Sequence, residues 1–133
     1  MSEQASDRNQ LSLLAIAVTL VSAHSIVLGI VLLAAPKWLL SLFGWSIDCH
    51  RFFLQQAGLF HVLLGTFYAV EFSRYRHVRV LVITKVSAVL FLTLQYACSV
   101  REVGVLVSNG IDAAMAVVVG ALWWRTSRPR TGV

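Results

Sequence analysis

Charged residues are scarce in this chain. Asp, Glu, Lys and Arg make up 13% of its 133 residues, whereas about 25% is usual in soluble domains. Hydrophobic residues supply 58%, and the mean hydropathy is +0.77. A small soluble domain exposes too much of its surface to hide so many apolar side chains, and a disordered chain needs the opposite composition. The composition therefore predicts one integral membrane domain.

Cysteine and proline are also rare, with two of each in the chain. There is no Cys-x-x-Cys motif of a thioredoxin-like protein, no phosphate-binding Gly-rich loop and no Gly-x-Ser-x-Gly nucleophile motif. Cys49 and Cys98 are both predicted on the outer side of the membrane. They can form a disulfide only if their Cα atoms lie within about 7 Å, so a disulfide and two separate thiols both stay open.

Four apolar runs are each long enough to cross the bilayer. Its hydrocarbon layer is ~30 Å thick and takes about 20 residues per helix. The runs cover about residues 11–35, 52–72, 78–100 and 103–124, within a membrane domain of residues 11–125. Because the connections between them are short, the runs predict a compact bundle. The predicted fold class is all-α, an integral membrane bundle of four transmembrane helices.

The connection between the first two runs has a pattern of its own. Residues 36–45 are mostly apolar, with Lys37 near their start. Proline suits the first turn of a helix, which is where Pro36 stands, and Gly44 is a natural stop. Ten residues are too few to span a bilayer. The segment is therefore predicted to be a short amphipathic helix lying in the outer interface.

The basic residues indicate how the bundle is oriented. Four spans place both chain ends and the second connection on one face of the membrane. That face carries Arg8, Arg74, Arg76, Arg79, Arg125, Arg128 and Arg130, and the opposite face carries Lys37, Arg51 and Arg101. The positive-inside rule then places the polar N-terminus, residues 1–10, and the basic tail, residues 126–133, in the cytoplasm of a bacterial-type inner membrane. The same rule accounts for the net charge of +5, so no nucleic-acid partner is expected.

A few polar side chains lie inside the spans, where they are costly and indicate functional sites. At ~1.5 Å per residue, His24, His61 and Asp112 lie roughly 10–15 Å from the outer ends of three different helices. Their common height predicts a polar cavity that opens to the outer side. The candidate ligand-binding residues are His24, Gln56, His61, Tyr68, Gln95, Tyr96, Asn109 and Asp112.

Three interpretations of His24, His61 and Asp112 stay open. They can form a structural hydrogen-bond network between helices, a ligand or catalytic pocket, or a metal site with two His and one Asp. No His-x-x-x-His or Glu-x-x-His spacing supports the metal site, so it is not favoured.

Glu71 and Lys85 form a second polar group, nearer the cytoplasmic end. Glu71 is predicted close to that end of the second span, and the Lys85 stem can extend towards it. A buried ion pair between them is the prediction, with a proton or substrate relay and a lone, snorkelling Lys85 as the alternatives.

The layout resembles the DoxX-like superfamily of small four-helix bacterial membrane proteins. The first helix ends in the apolar run Leu32 to Pro36, Gly44 closes a short amphipathic stretch, and Arg51 then opens a helix that contains Gly58 and Gly65. Asp112 in the last helix also fits the resemblance, which covers roughly residues 15 to 125. Some members look like membrane partners of quinone-linked or thiol-redox oxidoreductases. The resemblance therefore implies an accessory or lipid-soluble-ligand role.

The predicted function is a membrane accessory subunit or binding module for a lipid-like or quinone-like ligand. One alternative is a membrane enzyme acting on a lipid-like substrate, with His61 as acid–base and Asp112 as its orienting partner. Another is an oligomeric small-molecule transporter. A non-enzymatic role is favoured, and no cofactor is identified. The expected partners are the lipid bilayer, other membrane subunits or further copies of the chain, and a small apolar ligand.

Overall fold

The computed structural model of the protein describes residues 2–44, 51–99 and 101–127, and these residues are all-helical. The helices are α1 (Ser2–Ala34), α2 (Pro36–Leu42), α3 (Arg51–Tyr75), α4 (Arg79–Cys98) and α5 (Val103–Ser127). All but α2 are long and apolar enough to cross a membrane. The prediction of an all-α, multi-pass bundle of four spans is thereby confirmed at the level of length and composition.

The first helix begins earlier than its apolar run. The sequence places the first span at residues 11–35 and a polar N-terminus before it, yet α1 begins at Ser2. The residues before Leu11 include Glu, Gln and Ala and contain no Gly or Pro, so nothing in them stops a helix. At the other end, α5 runs to Ser127, and residues 128–133 of the predicted tail lie outside the described residues.

The short helix α2 has the boundaries that its sequence indicates. Pro36 occupies its first turn, where the missing N–H costs no hydrogen bond. Past its end, the Gly44 N–H donates to the Ser41 carbonyl over 3.2 Å, and Gly44 has a φ of +65°. This left-handed conformation favours glycine because any Cβ would strain it.

The helices pack unevenly around the bundle. The most extensive contact joins α1 to α3, the next joins α4 to α5, and α1 also contacts α5. Consecutive helices α3 and α4 share only a small contact. The order around the bundle is therefore α3, α1, α5 and α4, with a weak seam between α4 and α3. Large apolar side chains such as Leu20, Ile83 and Leu90 cover the outside.

The buried core occupies only one half of the bundle, towards the chain ends and the turn between α3 and α4. We call this the packed half. Its buried members are Leu14, Val18, Val21, Tyr68, Phe72, Val78, Leu81 and Val119. Every long helix contributes, so this half fixes how the four helices are arranged. The other half, on the side of α2, is built differently.

Candidate functional site

A cavity of about 330 Å³ lies in the half of the bundle towards α2, and we call it the α2-side cavity. All five helices contribute to its wall. The lining residues are His24, Leu28, Leu32, Leu39, Leu40, Phe43, Leu54, Ala57, His61, Ala88, Phe91, Leu92, Ser108, Ile111 and Asp112. Most of them are apolar, so the cavity is less polar than the sequence predicts. Its volume lies at the lower end of the ~300–1,000 Å³ typical of ligand pockets.

Helix α2 covers the end of this cavity. Leu39, Leu40 and Phe43 contribute to the lining, whereas Trp38 and Leu42 are exposed on the outside of the helix. The Pro36 start and the Gly44 stop keep α2 short enough to lie across the bundle end rather than to span. The segment predicted as an amphipathic helix therefore closes one end of the cavity.

An ion pair marks the boundary between the cavity and the packed half. The Lys85 Nζ atom donates a hydrogen bond to Asp112 Oδ1 over 2.5 Å. The sequence predicted Glu71 as the partner of Lys85, and the structure differs on this point. Helices α4 and α5 share a much more extensive contact than α3 and α4 do. Asp112 of α5 is therefore within reach of the Lys85 stem.

Glu71 has another role, at the start of α4. Its carboxylate accepts hydrogen bonds from the backbone N–H of Arg79 and of Val80, each at 3.1 Å. The first N–H groups of a helix have no partner within the helix, and the N-cap residue Val78 provides no side-chain cap. Glu71 supplies the missing acceptor, and its negative charge suits a helix N-terminus.

His24 and His61 both face the α2-side cavity, together with Asp112. The three residues predicted at one height thus come together from α1, α3 and α5. Both imidazoles interact electrostatically with Lys85 and Asp112, although no hydrogen bond joins either of them to another described residue. Two imidazoles without a hydrogen-bond partner among the described residues therefore lie in the cavity wall.

The remaining predicted site residues lie elsewhere. Tyr68 is buried in the core of the packed half, where its side chain is hydrogen-bonded to that of Thr84. Asn109 donates to Thr93 Oγ1 over 3.0 Å and so links α5 to α4. The others, which do not line the cavity, are Gln56, exposed on α3, and Gln95 and Tyr96, half-buried near the end of α4.

Two features of the structure were not predicted from the sequence: the contact of Gln55 with α1 and the apolar cavity lining from α2. Gln55, rather than Gln56, faces α1, and its Nε2 donates to the Leu33 carbonyl over 3.1 Å. The signal was present, because Gln55 lies three residues before Gly58 and shares its face of the helix. The apolar residues of α2 that line the cavity gave no such signal. A helix that lies in the membrane interface and a helix that packs over a cavity have the same amphipathic sequence pattern.

No three His, Cys, Asp or Glu side chains in the described ranges are placed to hold a metal ion. His24, His61 and Asp112 share the cavity without forming such a group, and Asp112 is engaged by Lys85. Cys98 is exposed at the end of α4, while Cys49 lies outside the described residues.

Comparisons with protein-family models, with curated proteins and with solved structures gave no match to this chain.

Proposed function

We propose that this protein is a membrane binding module or accessory subunit that holds a small lipid-like or quinone-like ligand in the α2-side cavity. The carrying observation is the cavity itself, whose walls are largely apolar and whose polar lining residues are Ser108, Asp112, His24 and His61. An apolar pocket with a few convergent polar groups is the usual form of a small-molecule site. The weak seam between α3 and α4 supports entry from the bilayer.

The membrane placement is part of this proposal. The four long helices span a bacterial-type inner membrane, with both chain ends in the cytoplasm because most Arg residues flank that side. Helix α2 then lies in the outer interface, with Lys37 and Trp38 exposed towards head groups, a depth at which Trp is enriched. Membership of the DoxX-like superfamily, proposed on the run Leu32 to Pro36 and on Gly44, supports an accessory role.

The two alternatives have less support. An enzyme with a His61–Asp112 pair requires the carboxylate to orient the imidazole, yet the only hydrogen bond that Asp112 accepts within the described ranges comes from Lys85. A transporter requires a path through the bundle. Buried side chains such as Leu81 and Val119 fill the packed half instead.

The test is to fill the cavity and to measure ligand binding in lipid nanodiscs. Ala57 lines the cavity, whereas Ala69, on the same helix, is exposed outside it. Ala57→Phe is expected to weaken binding of a short-chain quinone about tenfold or more, because the ring takes up ligand volume, and Ala69→Phe to leave it unchanged. Titration calorimetry against empty nanodiscs measures both. Equal binding by the two variants would contradict the proposal.

A further inference from the structure

The ion pair presents only one of its two partners to the α2-side cavity. Asp112 lines the cavity and Lys85 does not, and their side chains are 16% and 5% exposed. Lys85 engages Oδ1 of Asp112. The second carboxylate oxygen, Oδ2, accepts no hydrogen bond from any described residue. The polar floor that a ligand meets is therefore a carboxylate oxygen with free acceptor capacity, rather than an ammonium group.

The two histidines add to this polar floor. His24 and His61 line the same cavity, and neither is hydrogen-bonded to a described residue. A neutral imidazole carries one donor and one acceptor nitrogen. A group that both donates and accepts a hydrogen bond can therefore be bound by Asp112 and by one imidazole together.

The charge balance narrows the ligand further. The positive charge of Lys85 balances the negative charge of Asp112, so the pair as a whole is neutral. Electrostatic interactions are strong in a low-dielectric interior, and an unpaired charge there is costly. A cationic head group would add an uncompensated positive charge, and an anionic head group would approach the exposed carboxylate. Neither kind of charged head group is therefore expected to bind well beside the ion pair.

We infer that the bound ligand is a neutral amphiphile whose head group carries a hydroxyl, such as a phenol, a hydroquinone or an alcohol. The hydroxyl donates to Oδ2 of Asp112, and its oxygen accepts from His24 or His61. The apolar body lies between Phe43 and Phe91, where the volume of about 330 Å³ admits one ring or a short chain. This inference rests on the proposed function, since it names the ligand class of the same cavity.

Four probes that differ only in their head group test the inference. They are para-pentylphenol, para-pentylanisole, para-pentylbenzylammonium and para-pentylbenzoate, titrated calorimetrically into the 133-residue chain in nanodiscs. The phenol is expected to bind about tenfold or more tightly than the anisole, because the ether cannot donate a hydrogen bond and leaves the carboxylate oxygen unpaired. The ammonium and the benzoate are expected to bind more weakly than the phenol.

A double variant checks that the preference comes from Asp112. Lys85→Met combined with Asp112→Leu removes both charges and leaves an apolar floor, a replacement that buried ion pairs commonly tolerate. The preference for the phenol over the anisole is then expected to fall about threefold or more from its native value, because the carboxylate acceptor is gone and only the neutral imidazoles remain to accept the hydroxyl. A phenol preference as large as that of the native protein would overturn the inference.

The outcomes separate the two proposals. Equal affinity of the native protein for phenol and anisole, or a preference for either charged probe, overturns the hydroxyl inference and leaves binding in the cavity intact. If none of the four probes binds, or if Ala57→Phe does not weaken binding, the proposed function fails as well.

Discussion

Lys85 is almost fully buried, with 4% of its surface exposed. A lone ammonium group at this depth is costly, whether in protein or in hydrocarbon. The bond to Asp112 offsets that cost, but it does so only while both charges are present. Each charge therefore stabilises the other in the folded protein, and removing either one leaves the other buried without a partner.

This dependence gives a prediction about single and double substitutions. Asp112→Asn leaves the Lys85 charge unpaired and is expected to lower the free energy of unfolding by about 3–5 kcal/mol. The double variant Lys85→Met with Asp112→Leu is expected to come within about 1 kcal/mol of the native protein or above it, because no buried charge remains. Equilibrium unfolding in mixed micelles measures both. Equal losses in the two variants would show that the pair is not coupled.

At the scale of helices, the contact between α1 and α3 depends on very small residues. A Cβ on Gly29 would lie 2.5 Å from the Gly58 carbonyl oxygen, and a Cβ on Gly65 would lie 2.7 Å from that of Ser22. The two contact levels are seven residues apart on each helix, as in a regular antiparallel pair. Small residues of this kind let membrane helices approach closely.

The close approach of α1 and α3 predicts that Gly→Ala substitutions at two positions change the free energy of unfolding by very different amounts. Gly58→Ala places a Cβ 2.8 Å from the Gly29 carbonyl oxygen, so the helices must separate, and a loss of about 1–3 kcal/mol in unfolding free energy is expected. Gly110→Ala is the matched control, because its Cβ meets no atom within 4 Å and alanine favours the helix. The same unfolding measurement decides, and a Gly58→Ala variant as stable as Gly110→Ala would contradict the packing.

At the scale of the whole molecule, structure and proposed function occupy different halves. The packed half holds the buried core, and the other half holds the cavity beneath α2. The filled core holds the four helices in place. The opposite half can therefore contain a cavity with room for a ligand, because the arrangement of the helices does not depend on close packing in that half. Substitutions of apolar residues that line the cavity, such as Ala57, are therefore expected to alter binding more than folding.

The orientation of the molecule is a separate prediction. Four spans put both chain ends on one side, and the Arg residues around the ends and the α3–α4 turn favour the cytoplasm. A green fluorescent protein fused after Val133 is expected to fluoresce, and alkaline phosphatase fused after Gly44 is expected to be active, since that enzyme folds only outside the cytoplasm. An active phosphatase fused after Val133 would reverse the orientation.

The positions of the helices along the chain follow from local sequence patterns. The hydrocarbon layer requires about 20 apolar residues per helix, so the four runs could be read directly, and Pro36 with Gly44 delimited α2 because both act through the local backbone. The positions of His24, His61 and Asp112 along their helices also predicted one shared cavity, and all three residues line it. The helix positions depend only on neighbouring residues.

Which side chains meet, in contrast, depends on how the helices pack together. Periodicity gives the face of a helix but not its neighbour, and the small size of the contact between α3 and α4 could not be read from their short connection. For this reason Lys85 pairs with Asp112 rather than with Glu71, and Tyr68 belongs to the core rather than to the cavity. Helix pairing depends on how all the faces pack together at once, which no single segment encodes.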